Sequence, residues 1–373
     1  MGQGPIRRIL ERAGSHPCWI AALLTLLLQL PLHSGWLLSP SSTVLDNPFA
    51  GTHAWAVEFI GESLWSGESP FWTDRAGFPR ERSARYLGWA FILPGALLHG
   101  WLPGLWVVGL AVIIGPSLGA AMATRLFIRL KTGGTTEALI AAGVFFGLAP
   151  VTLGAAVSGQ IENTQSWVLP LLLWMVSWAG AQRRSWIVVA AIWLLGALTS
   201  PYLAMTAGLA LPWLIWREGW RTLWAVSIVA VCSMAIAGLV LSPGEFEAST
   251  HLFKPAYGRG ELPYLWSSPL PVADLDTLFG GAAEHQPRHA VMHQPYLGLI
   301  LLLGALVLGR RRKSWGIVAL IGLVVAMGPT LAWQGQPVRV AGAAVPLPAQ
   351  VFQWLELPPA RGGQYYRFVL LAH

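Results

Sequence analysis

Residues 105–124 read LWVVGLAVIIGPSLGAAMAT and contain no charged side chain. Twenty such residues wound as an α-helix reach ~30 Å, the thickness of a bilayer's hydrocarbon core. Similar apolar runs recur on both sides of this one. Of the 373 residues, 54% are hydrophobic and 11% are charged, against ~25% charged in soluble domains. There are 21 Trp, 41 Gly and 27 Pro, a surplus of apolar surface that a soluble chain of this size could not hide behind a polar coat. The composition excludes an ordinary soluble enzyme. It predicts an all-α fold, a polytopic bundle of transmembrane helices in one integral membrane domain covering 1–373.

The net charge of +7 is distributed in short basic clusters between apolar runs, which argues for topology rather than for nucleic acid. The clusters are Arg7, Arg8 and Arg12; Arg125, Arg129 and Lys131; Arg183 and Arg184; Arg217 and Arg221; and Arg310 to Lys313. With all of them cytoplasmic, spans fall near 18–38, 105–124, 136–157, 166–182, 185–200, 201–216, 222–242, 296–309 and 315–333. A tenth begins near Arg367, where the chain closes with RFVLLAH. Segments 39–104, 158–165, 243–295 and 334–366 then face outward and carry almost every acidic residue. The short run Leu87–Leu102 holds Pro94 and Gly95 and is read as re-entrant or juxtamembrane. The stretch 185–216 is read as two short spans broken at Thr199-Ser200-Pro201. Cys18 and Cys232 lie in or beside apolar runs and build no disulfide framework. The first run, 18–38, lacks a clear small-residue cleavage site and reads as a signal anchor.

The first outer loop, 39–104, is the richest in chemistry. Asp46 follows the first span, and a helix is expected from Thr52, as N-cap, to Trp65. Trp55, Glu58 and Glu62 share one face of it, and Ala54, Val57, Ile60 and Leu64 another. Such a helix would lie along the membrane surface and hold Asp46, His53, Glu58 and Glu62 at the mouth of the bundle. Arg75, Arg80, Arg82 and Arg85 follow, on the side where positive charge is normally depleted. Their guanidinium groups suit bidentate phosphate contacts, and the alternative is pairing with Asp74 and Glu81.

A second polar stretch, SGQIENTQSW at 158–167, sets Gln160, Glu162 and Asn163 at a turn between spans. An ionisable group at the bilayer centre costs roughly 2.5–3.5 kcal/mol on insertion scales, and such groups commonly serve function. Glu162 is expected near the interface, where a solvated turn is the alternative. The break at 199–202 offers backbone groups and the Tyr202 hydroxyl, or is only a tight turn. His285, His289 and His293 recur every four residues, but their surroundings read as irregular loop and no metal is assigned. Walker A, GxGxxG, GxSxG, HExxH and CxxC patterns are absent, so nucleotide-driven transport is not expected.

An outer-loop Asp running into HAWAVEFIGESLWSG (53–67) and then Gly77-Phe78-Pro79 resembles the GT-C membrane glycosyltransferases, in particular a group of uncharacterised bacterial proteins with that fold. SGQIENTQSWVLPLLL, ALTSPYLA, SPLPVADLDTLFG and HQPYLGLILLLGAL extend the resemblance over residues 18–309. It implies an enzyme of the bacterial inner membrane with its N-terminus cytoplasmic and its site on the outer face. A sugar would pass, with inversion, from a polyprenyl-phosphate donor to an extracytoplasmic acceptor, without metal or other cofactor. Asp46 matches the carboxylate that acts as base or orients the acceptor, although Asn47 follows it in place of a second acid; Glu58 is the fallback base. His53, Glu62, Arg75, Arg80, Arg82, Gln160, Glu162 and Tyr202 would line the substrate site. Proteins of this kind continue with further spans beyond RFVLLAH, so C-terminal spans are expected to be missing. Two alternatives share the composition: a non-catalytic binder or mover of lipid-linked glycan, and a solute transporter. The latter calls for an inverted repeat, which the sequence lacks.

Overall fold

The computed structural model describes residues 17–33, 48–68, 70, 88–130, 134–157, 161–181, 186–219, 231, 313–333 and 336–354. Their helices, in chain order, are α1 (Pro17–Gln29), α2 (Pro48–Ser66), α3 (Trp89–Leu97), α4 (Gly104–Arg129), α5 (Thr136–Gly147), α6 (Pro150–Val157), α7 (Ile161–Thr164), α8 (Val168–Ala181), α9 (Trp186–Thr199), α10 (Pro201–Glu218), α11 (Lys313–Ala326) and α12 (Gln350–Trp354). Proline sets several of their limits. Pro31 lies in the 3₁₀ turn, Leu30–His33, that follows α1. Pro150 parts α5 from α6 because it disfavours helical backbone at Ala149. Ser200 separates α9 from α10, and Pro201 starts the latter.

Among the described residues, two helical stretches are long and apolar enough to cross a membrane: α4, with 26 residues, and Thr136–Ala156, with 21, which takes in α5 and most of α6. Helix α4 is ~39 Å long and is the hub of the fold. It packs against α1, α2, α3, α5, α7 and α8. Its first half joins α2 and α3 in one apolar core built on Val57, Ile60, Ile92 and Val108. Its last turns join α5, α8, α9, α10 and α11 in a second core, with Leu130, Leu172, Val176 and Leu214 at its centre. The basic end of α4 is held by its neighbour. Arg125 lies 4.5 Å over the Trp174 ring, and Arg129 Nη2 donates to the Ser177 carbonyl at 3.0 Å. Several helices turn large apolar side chains outward: Leu23, Leu27 and Leu28 on α1, Phe145 on α5, Ile187 on α9 and Leu320 on α11.

The structure departs from the expectation in three places. Helix α2 starts at Pro48, so Thr52 lies inside the helix and is not its cap. Proline presets the first helical φ and needs no hydrogen-bond partner for its nitrogen, so the helix can begin there. Nor does α2 lie on a surface by one face. Ala54, Ala56, Val57, Phe59, Ile60, Gly61 and Ser63 are all buried, because α2 is pressed between α3 and α4, while Leu64 and Trp65 are exposed. Last, the fold is not purely α. Two small antiparallel strand pairs form, β1 (Ala332–Trp333) with β2 (Gln336–Pro337) and β3 (Arg339–Val340) with β4 (Ala343–Ala344). Ala341 and Gly342 both take positive φ, 51° and 82°, which is the twist a two-residue hairpin turn requires.

Within the expected run Leu87–Leu102, Trp89–Leu97 form α3, nine residues and ~13 Å, far short of a bilayer's ~30 Å. Pro94 lies inside it and Gly95 faces Val107 of α4 so closely that a Cβ there would stand 2.4 Å from Val107 Cγ1. The expected spans near 222–242 (apart from residue 231) and 296–309, and the start of a tenth near Arg367, lie outside the described residues.

Candidate functional site

Helix α2 carries two histidine–carboxylate contacts five residues apart, and that spacing turns them to different sides of the helix. The first is at its C-terminal half. Glu58 Oε2 meets His99 Nδ1 at 3.0 Å, in the turn that joins α3 to α4. Glu58 Oε1 accepts from the backbone N–H of Gly104, the first residue of α4. Pro103, at the N-cap of α4, offers no side chain to its free N–H groups. Glu58 therefore supplies from α2 the negative charge and the acceptor that a helix start calls for. Glycine at 104 permits the approach, since a Cβ would sit 2.3 Å from the Ala54 carbonyl oxygen. Both Glu58 oxygens are engaged in holding these elements.

The second contact is buried. His53 Nε2 lies 3.2 Å from Glu162 Oε2, with side-chain exposures of 11% and 8%. The His53 ring stands edge-on to Phe91 of α3, centroids 5.6 Å apart and planes at 71°. His53 Nδ1 is buried and has no hydrogen-bond partner among the described residues. A carboxylate out of water is costly unless paired, and here an imidazole N–H donor provides the pairing.

Glu162 is brought to His53 by the turn that contains it. The expectation sets this turn at the end of two spans; the structure lays it along the flank of α4. Gln165 Nε2 donates to the Ala111 carbonyl at 3.2 Å and to Thr164 Oγ1 at 2.9 Å. Trp167 Nε1 donates to Gln165 Oε1 at 2.9 Å, and Thr164 Oγ1 to the Ile161 carbonyl at 2.7 Å. A Cβ on Gly115 would lie 2.6 Å from the Thr164 carbonyl oxygen, and one on Gly119 2.7 Å from Ser166 Oγ. The turn thus rests on α4 between Ala111 and Gly119, ~10 to 22 Å from the helix start. Glu162, Thr164, Gln165 and Ser166 are all buried. The cause is local: two glycines one turn apart open a groove that backbone can enter, and Gln165 ties the turn to α4 through the Ala111 carbonyl, while Ser166 Oγ is buried there without a partner among the described residues.

The break between α9 and α10 meets α3. The Thr199 carbonyl accepts from Gly88 N–H at 2.8 Å, and Thr199 Oγ1 accepts from Ala90 N–H at 3.0 Å while donating to the Leu195 carbonyl at 2.7 Å. Gly88 takes φ 102°, a conformation suited to glycine. Thr199 therefore caps α3 from another part of the chain.

The structure thus joins His53 to Glu162, and Glu58 to the start of α4. Glu62 is exposed on α2. Tyr202 sits in the first turn of α10, and its side chain lies outside the described residues, as do Asp46, Arg75, Arg80, Arg82, Gln160 and the histidines at 285, 289 and 293. Among the described residues no group of three His, Cys, Asp or Glu comes together. The sequence reading missed His99, Phe91 and Gln165. His99 in HGWLPG, a lone polar residue between apolar runs, is the signal that could have found one of them. In comparisons with known proteins, no family model, curated protein or solved structure matches the chain.

Proposed function

We propose that the chain is a polytopic helical membrane protein of GT-C type, with its N-terminus cytoplasmic, in a bacterial inner membrane. It transfers a sugar from a polyprenyl-phosphate donor to an extracytoplasmic acceptor. The observation that carries this reading is the buried His53–Glu162 contact. It links the first outer loop to the second polar turn, the two segments whose residues the family motifs single out. The outward apolar side chains on α1, α5, α9 and α11 support a lipid environment, as does α4 itself. Backbone that is not continuous helix is tolerated at membrane depth only where protein or a cavity surrounds it, and the buried turn on α4 meets that condition. A carboxylate and an imidazole in a site shielded from bulk water supply what acceptor activation needs. Arg75, Arg80 and Arg82 carry the charge suited to the leaving phosphate. Asp46 is the first-loop carboxylate of the motif.

Membranes containing the chain, given a mixed pool of polyprenyl-phosphate sugars, test the proposal by mass spectrometry of donor consumption. One donor is expected to be consumed, and Asp46→Asn at matched expression is expected to lose that activity. No consumption of any donor overturns glycosyl transfer. Consumption that survives in Asp46→Asn overturns the role of Asp46 alone.

A further inference from the structure

We propose that His53, held by Glu162, is the group that takes the acceptor's proton; this rests on the glycosyl-transfer reading above. The geometry is that of an imidazole fixed through one nitrogen and unpartnered, though buried, at the other. Glu162 Oε2 lies 3.2 Å from Nε2, so an ionised carboxylate makes Nε2 the protonated nitrogen. Nδ1 then carries a lone pair. It is buried and without a partner among the described residues, on a residue only 9% exposed. A buried acceptor atom with nothing to accept costs stability, and because buried polar groups are normally satisfied, one retained without a partner calls for an explanation. Phe91, edge-on to the ring, adds a second wall to the one Glu162 provides and limits its rotation.

The same arrangement, a carboxylate that sets the tautomer of an imidazole whose other nitrogen removes a proton, activates hydroxyl groups in unrelated enzymes. Glu58 is less suited to the task because both its oxygens are already engaged by His99 and Gly104. In the step inferred here, the acceptor O–H bond breaks and its proton passes to Nδ1. The acceptor oxygen forms the bond to the anomeric carbon of the donor sugar. The bond from that carbon to the phosphate oxygen breaks, and its electron pair leaves with the polyprenyl phosphate. The imidazolium so formed is stabilised by Glu162, and its proton is later lost to water. Glu162 is the positioning residue.

His53→Gln separates the two roles of the ring. Its amide N–H can still donate to Glu162, which preserves the buried contact, but no base remains at the Nδ1 position. With the donor identified above, His53→Gln is expected to consume it at least about 100-fold more slowly than wild type, at equal expression and equal thermal stability in detergent. His53→Ala is expected to fall as far and to regain part of its rate when imidazole is added. Nitrogen-15 NMR of the ring-labelled wild type is expected to show Nε2 protonated and Nδ1 bare, and Glu162→Gln to lose that preference. Transfer by His53→Gln within about threefold of wild type overturns the proposal and leaves the glycosyltransferase reading standing. A wild-type ring protonated at Nδ1 also overturns it. A wild type that consumes no donor overturns both.

Discussion

Glu58, expected as the fallback base, and Glu162, expected to line the substrate site, are separated by their surroundings. Glu58 is partly exposed and capped by two donors, so its loss is felt at the start of α4. Glu58→Ala should lower stability by about 1 kcal/mol, as loss of a helix cap does, and Glu58→Gln, which keeps an acceptor, by less. Chemical denaturation in detergent micelles measures both, and equal losses would show that Glu58 does not cap α4. Glu162 is buried, with Oε2 against the His53 imidazole and Oε1 3.5 Å from Asn163 Nδ2. Glu162→Ala leaves His53 without its partner in an apolar wall and should cost about 3 kcal/mol by the same measurement. The residue types alone did not rank these two. Both read as outer-loop acids, and the ranking comes from which donors the fold supplies.

At the scale of elements, close approach decides where the polar turn lies. Gly115 leaves no room for a Cβ against the Thr164 carbonyl, which is backbone and cannot swing aside. Gly115→Val should lift the 161–166 turn off α4, cost on the order of 1–3 kcal/mol by overpacking, and part Glu162 from His53. Cross-linking of cysteines introduced at 53 and 162 would report the separation, and undiminished cross-linking would refute it. Thr199 offers a milder test. Thr199→Val keeps the shape but removes the acceptor for Ala90 N–H, with an expected loss of about 1 kcal/mol that Thr199→Ser restores. The break at Ser200 was legible because Pro201 and two hydroxyl residues interrupt an apolar run. That Thr199 caps α3 was not, since the two are far apart in sequence. The strand pairs also escaped the reading: strands of two residues are too short to show a period.

For the whole molecule the decisive question is orientation. In the proposed orientation residues 60 and 265 lie outside the cytoplasm, so reporter fusions at these sites should be active only as outward-facing reporters. A cytoplasmic signal at either would invert the proposed arrangement and remove the first loop from the outer face. Pro94 and the shortness of the apolar run led to the expectation that this segment does not cross. In the structure α3 is short, packs on α2 and α4, and sets Phe91 against the His53 ring.

Helical character, the broad helix limits and the surplus of apolar surface were determined by sequence alone, because proline, glycine and apolar run length act within a few residues. The same holds for the two polar segments, since a charged residue among apolar ones is visible without a fold. The pairing of His53 with Glu162, the engagement of Glu58 by Gly104 and His99, and the descent of the 161–166 turn along α4 were decided only by tertiary structure. Each depends on how closely two helices can approach, and that is set by side chains facing each other from distant parts of the chain, which no local pattern records.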